Sequence, residues 1–252
     1  MHIQKRIEET WKFCVDLYGL EQCISLCHHG SYNYECDLPE SDADAKLIVA
    51  PSWEDIVFAR HPMSRTVQGP YGDINVVDIR LYIGINLYKQ NFNFLETLFT
   101  PYSVVNPLYA DLWVELMDNR DIIAYYRPEE AVRTMVGQVE NQRRRWNKFD
   151  NNKTLYHMMR ISWAIESYCR GNCFADTLIP MNMDHIMRVR KGLVCECDME
   201  YMFELFYEHA LYCAKQPMKS IAHPEAKAIM DSLQARFVGR AIEFWTGEEV
   251  FF

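Results

Sequence analysis

The chain has 252 residues, 49 % of them hydrophobic and 13 % aromatic, and carries a formal net charge of −9. That composition can bury a substantial core and excludes a disordered chain. The acidic balance disfavours a protein that coats nucleic acid non-specifically, and without an apolar run of about 18 residues no membrane span is expected.

Residues 4–19 place Ile7, Trp11, Cys14, Val15 and Tyr18 at helical spacing, with Gly19 as the stop. This stretch is charged and amphipathic and lacks a signal peptide's apolar centre, so a cytoplasmic location is the expectation. Cys23–His28 reads as a strand leading into Gly30-Ser31. A loop with Asp37 and Pro39 follows, and Ser41-Asp42-Ala43-Asp44 opens a second apolar run, Lys46–Ala50. Ser52 reads as the N-cap of a helix, with Asp55 at its third position. His61–Gly72 is rich in Pro, Gly and Ser and reads as loop, and Ile74–Ile79 as a third strand containing Asp78. From Arg80 the pattern is helical, with Pro101 ending one element and Pro107 opening the next. Beyond Pro128 the helices are Glu129–Asn147, Thr154–Arg170, Asp198–Lys215 and Pro224–Trp245. The expected organisation is an α/β (α+β) domain over residues 1–115 and an all-helical half over residues 116–252.

Side chains alternate along a strand, so Asp42 and Asp44 would share one face, about 7 Å apart. Two such carboxylates repel unless a cation sits between them, and hard oxygen donors suit Mg²⁺ or Mn²⁺. The competing reading is a turn-closing pair after Pro39. Gly30 and Ser31 offer a backbone turn and a hydroxyl for a phosphate. Asp78 lies among β-branched residues, where a carboxylate is costly unless paired or metal-bound. It is therefore the expected third acid, with Arg80 two residues on to orient it.

Lys46 shares the face of the two aspartates, and Lys153, His157 and Arg160 share one helix face at i, i+4 and i+7. Cations so aligned suit a triphosphate; the alternatives are an edge-strand lysine and a solvated helix face. Arg143-Arg144-Arg145 with Trp146 and Lys148, and Arg188, Arg190 and Lys191, are two basic clusters that read either as RNA contacts or as exposed helix faces. His28 and His29 read as structural hydrogen-bonding residues. Nine cysteines with no CxxC pair read most simply as buried reduced thiols.

The ordered set Gly30-Ser31, Asp42-x-Asp44 and a later strand acid, Asp78, resembles the DNA polymerase β-like nucleotidyltransferase superfamily. More narrowly, GSYNY and PESDADAK (within residues 30–46), VVDIR (76–80), KQNFNFLETLFTPY (89–102) and KTLYHMMR (153–160) resemble a bacterial and phage group of predicted nucleotidyltransferases often associated with RNA repair. One departure is visible: relatives commonly have Gly after the NY pair, where this chain has Glu35-Cys36.

The resemblance covers about residues 24–160 and implies a nucleotidyltransferase fold with a mixed sheet. It further implies transfer of a nucleotidyl group from an NTP to an acceptor hydroxyl on two divalent ions, Mg²⁺ or Mn²⁺, with an RNA (tRNA) end as the leading acceptor. On that reading Asp42 and Asp44 bridge both ions, and Asp78 holds the ion that activates the acceptor hydroxyl. Gly30 and Ser31 hold phosphates, with Lys46, Lys153, His157 and Arg160 as further nucleotide-binding residues. The alternatives are a protein or small-molecule acceptor, or a non-catalytic, antitoxin-like nucleotide-binding partner.

Overall fold

The computed structural model describes residues 2–148 and 151–247, and its frame is a five-stranded mixed sheet. The strands are β1 (Cys23–His28), β2 (Ala45–Val49), β3 (Ser64–Gln68), β4 (Asp73–Asp78) and β5 (Ser103–Val105), in spatial order β3-β4-β2-β1-β5. β1 is antiparallel to β2 and β5, and β3 is antiparallel to β4. β2 and β4 run parallel. The helices in chain order are α1 (Ile3–Tyr18), α2 (Trp53–Val57), α3 (Ile79–Leu81), α4 (Phe92–Leu95), α5 (Ala110–Asp118) and α6 (Arg120–Ala124). They continue as α7 (Pro128–Arg145), α8 (Asn151–Cys169), α9 (Phe174–Leu178), α10 (Met183–Arg190), α11 (Glu196–Ala214) and α12 (Ala226–Thr246).

Strand alternation divides the core. Leu26, Ala45, Leu47, Val49, Ile74 and Val76 pack with Ile3, Ile7 and Cys14, so α1 covers one face of the sheet. Ile24, Ile48 and Val77 face the other way and join a large cluster that runs through the helices to Ala241. That single cluster takes in residues on both sides of residue 115. Local chemistry sets several ends. Ser52 and Asp55 form the capping box of α2. Pro128 opens α7, with Glu129 and Glu130 in its first turn and Arg143–Arg145 in its last, matching the helix dipole.

The structure departs from the sequence reading in the short elements. Residues 64–68, expected as loop, form β3, an edge strand whose side chains are nearly all exposed, so no alternating pattern marks it. β5 is a three-residue edge strand just after Pro101, and α9 and α10 fill the unassigned interval before α11. All nine cysteines are free thiols, and Cys173, Cys195 and Cys197 are exposed rather than buried. No described helix is long and apolar enough to cross a membrane.

Candidate functional site

A cleft of about 540 Å³ lies between the β1–β2 connection and helices α7, α8 and α10. Of the residues singled out above, Gly30, Ser31, Asp42, Asp44, Lys46, Lys153, His157 and Arg160 all line it, and Asp78 does not. The floor starts at Gly30, whose φ of +114° and ψ of −154° suit only glycine, although a Cβ there would meet nothing. The chain then turns through a 3₁₀ segment, Ser31–Tyr34. Asn33 stitches that turn to the sheet, donating to His28 O at 3.0 Å and accepting from Thr100 Oγ1 at 2.7 Å. Glu35 follows in the left-handed region, φ 57°. This is the position where the resembling group commonly has Gly.

The loop carrying the aspartates is tied on three sides. Arg6 donates to Ser41 O at 3.0 Å, Arg190 to Ser41 Oγ at 2.9 Å, and Ala43 N–H to Tyr71 O at 2.8 Å. Ala45 pairs with Ile74 and Lys46 with Asn75, which sets Asp44 beside Asp73. The Asp73 N–H donates to Asp44 Oδ1 at 2.9 Å. Gly72 permits this approach, because a Cβ there would come 2.8 Å from Asp44 Oδ1 and 3.0 Å from the backbone at Ala43 and Asp44. The Asp44 carboxyl is pushed above the usual range by burial, with the charges of Asp42 and Asp73 adding to the rise. The Asp73 N–H and Lys153 oppose it. Asp42 and Asp44 line the cleft, while Asp73, beside Asp44 on β4, lies outside its lining and acts on Asp44 through its charge and backbone N–H.

Asp78 is elsewhere, contrary to expectation. It pairs in register with Val49, at the far end of the ladder from Asp44. Alternation along β4 puts it with Ile74 and Val76 on the face under α1, whereas Asp73, Asn75 and Val77 face the helices. Its carboxylate is 1 % exposed and satisfied by Arg80, which grips it through Nε at 3.0 Å and Nη2 at 2.6 Å. The Arg80 N–H adds a third bond at 2.8 Å. Arg80 therefore neutralises Asp78 rather than orienting it toward the cleft. The sequence carried the missed signal: apolar Ile74 and Val76 alternate with polar Asp73 and Asn75, and Asp78 falls on the apolar parity.

Facing the acids is a wall of cations. Lys46, 4 % exposed, points into the cleft with Nζ 5.2 Å from the Phe94 ring centre, and burial lowers its pKa to about 8 against the pull of Asp44. On α8, Lys153 is exposed, His157 half-buried and Arg160 buried. Burial, then Arg160, Lys153, Arg190 and Arg145, drive His157 well below its usual pKa, so the ring is neutral. Arg160 lies over Tyr34, Cζ 3.9 Å from the ring centre. Its buried Nε and Nη1 have no hydrogen-bond partner among the described residues, and neither does Arg190 Nη1. Buried guanidinium N–H groups without acceptors are costly, which marks this wall as a seat for an anion.

Sequence reasoning missed Glu96 in the same cleft. It is 2 % exposed, accepts a hydrogen bond from Tyr34 Oη and lies 3.8 Å from His29 Nδ1. Burial raises its carboxyl to about 7, with Arg160 pulling the other way. The available signal was a single glutamate among the apolar and aromatic residues of the 89–102 stretch. The basic clusters divide. Arg145 and Arg190 line the cleft, while Arg143 pairs with Glu204 at 2.8 Å and covers Tyr207. Trp146 stacks on Phe203, with centroids 4.1 Å apart, so its ring is occupied by the protein's own core and is not an open platform for a base.

Asp42, Asp44 and Asp73 form a hard-oxygen donor set of the kind that suits Mg²⁺ or Mn²⁺. Their oxygens do not all lie within 4.8 Å of one another, so the fit is one of donor chemistry rather than of a closed cage. Compared with known proteins, no family model matches this chain and no curated protein matches it.

Proposed function

We propose that this chain is a divalent-metal-dependent nucleotidyltransferase of the DNA polymerase β-like kind, moving a nucleotidyl group from an NTP to an acceptor hydroxyl, with an RNA end as the acceptor. The observation that carries the proposal is the convergence, on one cleft, of an acidic side (Asp42 and Asp44, with Asp73 beside Asp44) and a cationic side (Lys46, Lys153, Arg160, Arg190) around a Gly30-Ser31 turn. Either side alone has simpler explanations; a triphosphate carried with metal ions needs both.

Mg²⁺ or Mn²⁺ held by Asp42, Asp44 and Asp73 would stabilise the attacking and leaving oxygens of an in-line displacement. In that reaction the acceptor oxygen bonds to the α-phosphorus, the α–β bridging bond breaks, and pyrophosphate leaves. The acceptor's hydroxyl proton passes to a carboxylate or to solvent. The chain's own part is positioning. The Ser31 hydroxyl and the turn's N–H groups take phosphate oxygens, and the unpartnered N–H groups of Arg160 and Arg190 take others. Neutral His157 donates or accepts a hydrogen bond without adding charge. Glu96, whose carboxyl burial raises to about 7, gives the cleft a group able to exchange a proton there. RNA as acceptor is supported by exposed Arg188 and Lys191 flanking Arg190, which reaches the cleft.

The test is incubation with α-labelled NTPs and Mg²⁺ in the presence of total RNA or a protein lysate, with Asp44→Asn in parallel. Label on RNA that vanishes in the variant is the expected result. Label on protein would move the acceptor, and nucleotide binding with no transfer to either would overturn the catalytic reading.

A further inference from the structure

We propose a second, separate metal site in the helical half: a single Zn²⁺-class cation held by Glu166 of α8 and by His209 and Cys213 of α11. It does not rest on the reading of the cleft. The three donor atoms lie within 4.8 Å of one another. His209 Nε2 is 3.4 Å from Cys213 Sγ and 3.3 Å from Glu166 Oε2. With bonds of about 2.0–2.1 Å to nitrogen and oxygen and about 2.3 Å to sulfur, a tetrahedral zinc ion sets its ligands about 3.3 Å (N to O) and about 3.6 Å (N to S) apart. The observed edges match those values.

Hydrogen bonding alone accounts for the cluster less well. Thiol and carboxylate both approach the same ring nitrogen, which in a neutral imidazole presents either an N–H or a lone pair. As N–H it serves Glu166 and leaves the thiol without its acceptor; as a lone pair it serves Cys213 and faces the carboxylate unfavourably. One cation at the centre satisfies all three.

The surroundings are those of metal ligands. Ser162 Oγ, fully buried, sits 2.8 Å from His209 Nδ1, where accepting that N–H leaves the Nε2 lone pair turned to the other two donors. Arg170 holds the other Glu166 oxygen, Oε1, leaving Oε2 for the ion. His209 is one-third exposed, so a fourth position opens to solvent. His209 and Cys213 are one helical turn apart, a workable ligand spacing, while Glu166 arrives from another helix. Occupancy would brace α11 against α8, the helix that carries Lys153, His157 and Arg160 into the cleft.

The experiment uses the full chain stripped with a chelator, titrated with Zn²⁺ against a chromophoric competitor and, separately, with Co²⁺. One equivalent should bind, with a thiolate-to-Co²⁺ charge-transfer absorption and a raised Tm. Cys213→Ser should abolish that absorption, and Ser162→Ala should weaken binding on the order of tenfold. A Cys195→Ser/Cys197→Ser variant should keep both, which separates this site from the exposed Cys195, Cys197 and Asp198 cluster. No charge-transfer absorption in the wild-type chain, or absorption that survives Cys213→Ser, would overturn the proposal. The wild-type measurement decides even where a variant fails to fold.

Discussion

Asp73 donates its backbone N–H to Asp44 Oδ1 across 2.9 Å, although 29 residues separate the two. On the proposed reading this contact makes Asp73, rather than Asp78, the acid that supports a metal at Asp42 and Asp44, and it separates two aspartates of one strand. Asp73→Asn removes an exposed carboxylate whose charge acts on Asp44. It should cut transfer at least about a hundredfold, since even groups that only support a metal ligand are worth 10–100-fold. Its unfolding midpoint should stay level or rise, because Asp44 loses a repelling neighbour. Asp78→Ala should do the opposite, lowering stability by about 2 kcal/mol through the lost Arg80 pair and helix cap, with the folded protein still active. Transfer assays beside urea melts on both variants check this. Activity lost in natively folded Asp78→Ala but kept in Asp73→Asn would sink the assignment.

Arg160 makes a sharper separation of binding from folding. Its guanidinium is 6 % exposed, stacked on Tyr34, with two N–H-bearing atoms lacking acceptors. Such a group is an uncompensated cost to the protein without ligand and a strong hydrogen-bonding partner once an anion arrives. Arg160→Met keeps the side chain's length over the ring. It should leave stability unchanged or raise it by about 1 kcal/mol, while weakening NTP binding on the order of tenfold or more. Calorimetric NTP titration with thermal melts reads both quantities. Unchanged NTP affinity would mean that the guanidinium serves only the core.

Legibility followed how far each feature reaches along the chain. α1, the capping box of α2 and the long helices announce themselves within one segment, through periodicity and caps. The α8 residues Lys153, His157 and Arg160 were visible for the same reason. Asp73 needed the register between two strands, and the polar–apolar parity of Asp73 to Asp78 was the only local hint of it. Arg190 reaches the cleft from α10, an element the pattern did not reveal. Glu96 was hidden by its setting, because a buried acid in an aromatic helical run looks like a surface residue until its surroundings are known. β3 and β5, as edge strands, carry too little apolar alternation to be seen.

Glu35 shows a local cost left in the chain. It adopts φ 57° and ψ 26° at the end of the Ser31–Tyr34 turn, a left-handed conformation that strains any residue with a Cβ by about 1–2 kcal/mol. Glycine removes that strain but loses some of the gain to its freer unfolded state. The net expectation for Glu35→Gly is stabilisation by about 0.5–1 kcal/mol with transfer unaffected. A rise in the denaturant midpoint at constant slope is the check. A destabilised variant would show that the Glu35 side chain makes a contribution larger than its backbone strain.

Glu96 should make stability depend on pH in a direction opposite to that of an ordinary paired carboxylate. Burial raises its carboxyl from the usual 4.5 to about 7. Between those values the native protein holds a proton that the unfolded chain has released, so ΔG of unfolding falls as pH rises. The contribution is complete below 4.5 and gone above about 7, and it amounts to roughly 3 kcal/mol at most. His29 and His157 work the other way, because their lowered pKa values cost stability as pH falls. The wild-type profile alone therefore mixes the two trends, and the difference from Glu96→Gln isolates one of them. Glutamine keeps an acceptor for Tyr34 and cannot titrate, so this variant should gain on the wild type from about pH 5 to about pH 7 and level off above it. Urea unfolding at half-unit pH steps reads that gain, and parallel profiles would show that Glu96 ionises as freely in the folded protein as in the unfolded chain.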